Sequence, residues 1–189
     1  MRKQVLLLLL FLGSLLFSSA QFPKLPGAGS AFTDSLSRIV HDFKKNFYPI
    51  QGSQLTSQVM ADVYRSKVGM PGAAHCIIQR YRSEEDTTAS WQAIMYDGEI
   101  YEEALKIYKN TIKQLKKVRL KIGENSPASF SGEMEIPDET LSFTVTPLRL
   151  NSPDTDYKDF CAEVEITNNY DGWVVHLNLH KKKRDDVEY

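Results

Sequence analysis

The groups with which this chain could do chemistry are few: four histidines, two cysteines and several acids at alternate positions. His176 and His180 stand four apart, the spacing at which a helix sets two imidazoles on one metal ion. The run Trp173 to His180 alternates as a strand does, and in a strand the two stand about 13 Å apart, too far to share an ion directly. A composite site needs Glu163 or Glu165 beside one histidine on the same face. A solvated sheet face with cross-strand charge pairs explains these residues more simply, so no metal is assigned. Glu133 and Glu135 could serve as paired carboxylates for acid–base work, since one carboxylate raises its neighbour's pKa. Their alternation turns them to water, with Lys117, Arg119 and Lys121 one hairpin away as charge partners. Cys76 follows His75, but neighbours in a strand point to opposite faces, which argues against a nucleophile and base acting together.

Tyr48, Tyr64, Trp91, Tyr108, Phe143 and Trp173 are candidate ligand-binding residues, because amphipathic rings with a polar handle suit small-molecule cavities; core filling is the competing role for each. No Gly-x-Ser-x-Gly, Gly-rich phosphate loop, His-Glu-x-x-His or clustered-cysteine motif accompanies them. No catalytic residue and no cofactor follow from the residues, and the chain reads as a binder rather than an enzyme.

Three helices and two groups of strands must position these groups. Phe32, Leu36, Ile39, Val40, Phe43 and Phe47 recur at helical spacing up to Pro49; Leu55, Val59 and Val63 suggest a second, shorter helix; Ile100, Ala104, Ile107, Tyr108, Ile112 and Leu115 mark a third. His75 to Arg82 and Thr87 to Tyr96, separated by Ser83 to Asp86, read as a β-hairpin. From Lys117 the period becomes two. One face collects Val118, Leu120 and Ile122; Met134 and Ile136; Leu141, Phe143 and Val145; Ala162, Val164 and Ile166; then Trp173, Val175, Leu177 and Leu179. Ser142, Thr144 and Thr146 fall on the other, with Glu163, Glu165, His176 and His180. Such sorting describes antiparallel strands with one face on a helix layer and one toward water. Asp171-Gly172 is a hairpin signal. No internal sequence repeat stands out.

Arg2 and Lys3, the hydrocarbon run Val5 to Phe17 and the small residues Ser18-Ser19-Ala20 read as a secretory signal over 1–20, too short to span a bilayer. Cleavage takes the charge balance from 23 basic against 24 acidic to 21 against 24, a net −3, which gives no footprint for nucleic acid or anionic lipid. Residues 21–31 form a Pro/Gly-rich leader, 32–180 a single domain, and 181–189 a charged tail. The mature protein is expected to be extracellular with no membrane span, and in that oxidising compartment Cys76 and Cys161 are expected to form a disulfide.

Two helices, a hairpin, a third helix and a long meander are similar to the order of elements in the NTF2-like superfamily, over roughly Phe32 to His180. The resemblance implies an α+β cone, a curved antiparallel sheet on three helices in the order α-α-β-β-α-β-β-β-β-β, whose mouth holds a small ligand or a dimer surface. Ketosteroid-isomerase-like relatives carry acidic and phenolic groups inside the cone; the inward positions here are apolar, so no catalytic residue carries over. The cystatin-like fold, a helix gripped by an antiparallel sheet, is a related shape and would imply a secreted protease inhibitor. The nearest match to its Gln-x-Val-x-Gly loop is Gln58-Val59-Met60-Ala61-Asp62, which lacks the pattern and falls in the segment read as helical, so inhibition by the cystatin mode is not expected. The expectation is therefore a secreted, non-enzymatic binding or interaction protein, holding a small apolar molecule in the cone or meeting a protein partner or a second copy through its sheet. The alternative is a small extracellular enzyme of NTF2-like shape with acid and base residues in the cone.

Overall fold

The structure, a computed structural model, describes residues 29–82, 88–122, 126–169 and 171–182. The expected signal segment, most of the leader, the turn at Ser83 to Asp86 and most of the charged tail lie outside the described residues. Helix α1 (Ser30–Phe43) buries Phe32, Leu36, Ile39 and Val40 along one stripe. Asn46 and Phe47, both with positive φ, then turn the chain through a 3-10 segment, Tyr48–Ile50. Four strands follow: β1 (Gln51–Ser57), β2 (Ala61–Ser66), β3 (His75–Tyr81) and β4 (Ser90–Gly98). Helix α2 (Tyr101–Lys117) leads into β5 (Leu120–Ile122), β6 (Ser126–Ser131), β7 (Phe143–Asn151), β8 (Phe160–Asn169) and β9 (Gly172–Lys181).

The nine strands among the described residues join one open antiparallel sheet in the order β1-β2-β3-β4-β9-β8-β7-β6-β5. The chain thus lays down one motif twice, a helix followed by a meander, and the closing strands of the two meanders, β4 and β9, pair at the centre. The repeat is in topology and not in residues. Both helices contribute to one apolar core with the inner sheet face, which presents Ile78, Trp91, Ala93, Ala162, Val164, Val175, Leu177 and Leu179. Among the described residues no helix is long and apolar enough to cross a membrane.

The α+β class and the antiparallel meander are as expected, and the alternation of β3, β4, β8 and β9 and the period of α2 fall where the sequence places them. Three features differ. Among the described residues there are two helices, not three: Leu55, Val59 and Val63 lie on the β1–β2 hairpin, with Val59 at its tip. A spacing of four matches a helix by coincidence here, because two of the three side chains are exposed and no face needs them. Met134 and Ile136 are exposed on a non-strand strap, and the expected strand there is instead β6, where Ala128 and Phe130 face the core. The strap is tied to α2 by Tyr108 and Tyr101, whose hydroxyls donate to the carbonyls of Glu135 and Pro137 at 3.1 Å each.

Finally, β7 has the opposite parity. Thr144 and Thr146 pair with the inward Ile166 and Val164, while Leu141 and Phe143 are exposed. Thr146 is fully buried because its hydroxyl meets Tyr108 Oη at 2.5 Å and accepts from the Glu135 amide at 2.9 Å, so burial leaves no unpaired group. Leu148 and Leu150, on the same parity, anchor that face in the core.

The β8–β9 hairpin forms at the expected signal, and Gly172 opens β9 at φ +139°, where an added Cβ would sit 2.6 Å from the Gly98 carbonyl oxygen. Both the backbone conformation and the space require glycine. Gly172→Ala is expected to lower the unfolding free energy by roughly 1–3 kcal/mol, read as a shifted urea midpoint at unchanged slope.

Candidate functional site

Two places on this frame carry unusual groupings of side chains. The first is on the outer sheet face. Cys161 and Glu163 are two apart on β8 and so project to one side, and the register sets His180 of β9 directly opposite Cys161. His180 Nε2 lies 3.0 Å from Glu163 Oε2 and 3.6 Å from Cys161 Sγ, and its Nδ1 is 2.9 Å from the Lys181 carbonyl oxygen. Burial alone would push the His180 imidazole down, but its bonds to Cys161 and Glu163, the Cys161 charge and the Lys181 carbonyl outweigh it and hold it up at about 10. The same bond to His180 holds the Glu163 carboxyl below its ordinary value against the effect of burial. Cys161 is only 3% exposed.

This arrangement corrects the expected disulfide: both cysteines are free. Cys76 sits opposite Ala93 on the inner face of β3, Cys161 opposite His180 on the outer face of β8, and β4 and β9 run between them. Three strand spacings amount to about 14 Å, well beyond the Cα separation a disulfide tolerates. Of the acids and imidazoles weighed from sequence, Glu163 and His180 do come together, with Cys161 as the unforeseen third member. His176 instead faces Glu165, its register partner, and Ile94 of β4.

Burial is the largest influence on His176 and pushes its pKa down, against the raising effect of Glu165 and Asp97. A folded value below the unfolded one means that the unfolded chain binds more protons in between, so this group contributes stability at higher pH that is lost as pH falls through about 6.5. His176→Gln is expected to flatten the fall of the denaturation midpoint between pH 7.5 and 5.5; an unchanged slope would contradict the assignment.

The second place is the β1–β2 tip. Val59 is 88% exposed and Met60 72%, with Leu55 and Tyr81 also exposed beside them. Directly beneath, Arg82 forms a polar clamp: one guanidinium nitrogen reaches Asp62 Oδ1 at 2.6 Å and Ser57 Oγ at 2.7 Å, while Gln54 donates to the same carboxylate at 3.3 Å. Arg82 and Ser57 hold the Asp62 carboxyl below its usual range. The Arg82 amide donates to the Met60 carbonyl and the Gln58 amide to the Ala61 carbonyl, both at 2.9 Å. The segment Gln58-Val59-Met60-Ala61, read from sequence as helical, is therefore a clamped hairpin apex with an aliphatic end.

The six candidate aromatic residues are dispersed. Tyr48 is exposed beneath the Arg80 guanidinium, 3.6 Å from the ring centre; Tyr64 packs against the core from β2; Trp91 is buried and donates to Ser66 Oγ at 2.9 Å. Tyr108 is buried against Thr146, Trp173 packs at a tilt on Tyr101 with ring centres 4.7 Å apart, and Phe143 is on the outer face at 63% exposure. A groove of about 410 Å³ lies elsewhere, between α2 and the strap, lined by Lys109, Ile112, Lys113, Lys116, Lys117 and Met134. Glu133 and Glu135 are exposed on the strap, which Lys116 Nζ holds by donating to the Gly132 carbonyl at 2.9 Å. No family model, curated protein or solved structure matches the chain.

Proposed function

We propose that this is a secreted, non-enzymatic interaction protein that inserts the β1–β2 tip into an apolar cleft of a protein partner. The observation that carries the reading is the pairing of an exposed aliphatic apex, Val59 and Met60, with a polar clamp of Ser57, Asp62 and Arg82 at its base. Exposed aliphatic side chains at a turn contribute little to the stability of the free protein, whereas in an interface they become the buried anchors that dominate affinity. The clamp fixes the apex before contact and so reduces the ordering entropy lost on binding. Secretion remains an expectation from the N-terminal segment.

The cystatin-like resemblance supplies a partner class, the substrate cleft of an extracellular peptidase. With the segment on a hairpin, the objection that it is helical falls away, while the two departures from that pattern, Met60 where it has valine and Asp62 where it has glycine, stand. The NTF2-like reading of a ligand in a cone gains no comparable support, since the candidate rings do not surround one hollow. The test is inhibition of a papain-type cysteine peptidase cleaving a peptide substrate. Reversible competitive inhibition is expected, and the absence of any slowing at high micromolar protein would overturn the partner class.

A further inference from the structure

The outer-face cluster lies on a different part of the sheet from the hairpin tip, and the interaction proposed for the tip makes no use of it. A tetrahedral zinc ion with Zn–S of about 2.3 Å, Zn–N of about 2.05 Å and Zn–O of about 2.1 Å sets its sulfur and nitrogen ligands about 3.6 Å apart and its nitrogen and oxygen ligands about 3.4 Å apart. Cys161 Sγ and His180 Nε2 stand 3.6 Å apart, His180 Nε2 and Glu163 Oε2 stand 3.0 Å apart, and the three ligand atoms all lie within 4.8 Å of one another. We propose that Cys161, Glu163 and His180 form a mononuclear site for a divalent transition ion of the zinc class.

Three further features fit. The spacing is built into the sheet, because residues two apart on β8 and a directly opposed residue on β9 cannot separate without breaking the ladder. The Lys181 carbonyl, 2.9 Å from His180 Nδ1, accepts that nitrogen's proton and so assigns Nε2 to the metal, the outer hydrogen bond that metal-bound histidines commonly make. A thiolate and a carboxylate together neutralise a divalent cation, and the sulfur, nitrogen and oxygen set suits zinc or cobalt better than calcium or magnesium. A metal takes Cys161 as thiolate and His180 through an unprotonated Nε2, so any proton these two atoms carry leaves to solvent on binding. The Glu163 and His180 side chains are 30% and 25% exposed, which leaves one open side for water as the fourth ligand. The burial of Cys161 beneath them argues against a nucleophile, because a substrate carbon has no approach to the sulfur. Metal ligation also accounts for a free cysteine in a chain expected to pass through an oxidising compartment.

Cobalt(II) titrated into the reduced full-length chain is the test. One equivalent is expected to bind with the near-ultraviolet charge-transfer band of a cobalt–thiolate bond and the strong visible bands of four-coordinate geometry. The charge-transfer band is expected to vanish in Cys161→Ser and persist in Cys76→Ser. Affinity is expected to fall more than tenfold in Glu163→Gln and in His180→Asn, two variants that keep the thiol and serve if Cys161→Ser folds poorly. Saturating cobalt without a charge-transfer band, or a band that survives in Cys161→Ser or is lost in Cys76→Ser, overturns the proposal.

Discussion

Trp91→Ala is expected to cost about 3–5 kcal/mol of unfolding free energy, the largest effect of any single core truncation in this protein. Trp91 lies on β4, one of the two central strands, fully buried between Ile78 of β3 and Leu179 of β9. Its loss opens a cavity at the seam where the two helix-and-meander halves meet, and the flanking strands are held too firmly by their ladders to collapse into it. The indole also donates to Ser66 Oγ, which in turn bonds the amide and carbonyl of Val68 at 3.2 and 2.8 Å. Trp91→Phe separates the two contributions: it keeps most of the packing, loses one hydrogen bond, and is expected to cost about 1 kcal/mol for the bond beyond the lost volume. Urea denaturation followed by circular dichroism reads both. A Trp91→Ala midpoint indistinguishable from the parent would mean that the seam is not part of the cooperative core.

Val59→Asp combined with Met60→Asp is expected to abolish peptidase inhibition by at least about a hundredfold and to leave the unfolding midpoint unchanged. Two apolar anchors at the centre of an interface are worth ~2 kcal/mol each, and 1.4 kcal/mol is tenfold in affinity. Neither side chain packs on this protein's own core, so charge at the apex disturbs nothing in the free state beyond about 0.5 kcal/mol. Arg82→Ala tests the clamp separately. It removes the bonds to Asp62 and Ser57, leaves the apolar apex intact, and is expected to weaken binding about tenfold through lost preorganisation. Inhibition constants from steady-state competition, with denaturation curves alongside, distinguish these outcomes from general unfolding.

What the sequence discloses follows the physics of each segment. In β8 and β9 the buried inward positions are apolar and nearly every outward one is polar, and α2 departs from that only at the buried Thr111 and Gln114, so period alone fixes both element and face. In β7 the outward Phe143 and Val145 are more apolar than the inward Thr144 and Thr146, and hydropathy points the wrong way. The buried Thr146 is balanced by a hydroxyl from α2, a long-range partner that no local pattern reveals, although Leu148 and Leu150 carry the correct parity two and four residues on. The hairpin tip was hidden by a chance spacing of four in Leu55, Val59 and Val63. The outer-face cluster was half legible: the sequence admits Glu163 beside a histidine, but compartment arguments direct Cys161 to Cys76. Only the β8–β9 register shows that His180, and not His176, stands opposite it.

The central claim is that the β1–β2 apex, and not the sheet face, meets the partner. A photo-crosslinking residue placed at position 59 and, in a second variant, at position 143 on the exposed outer face, each irradiated with the papain-type peptidase, tests it most directly. A one-to-one adduct is expected from position 59, mapped to the peptidase cleft and suppressed by a cleft-directed inhibitor, with none from position 143. An adduct formed from position 143, or none from position 59 while inhibition persists, contradicts it.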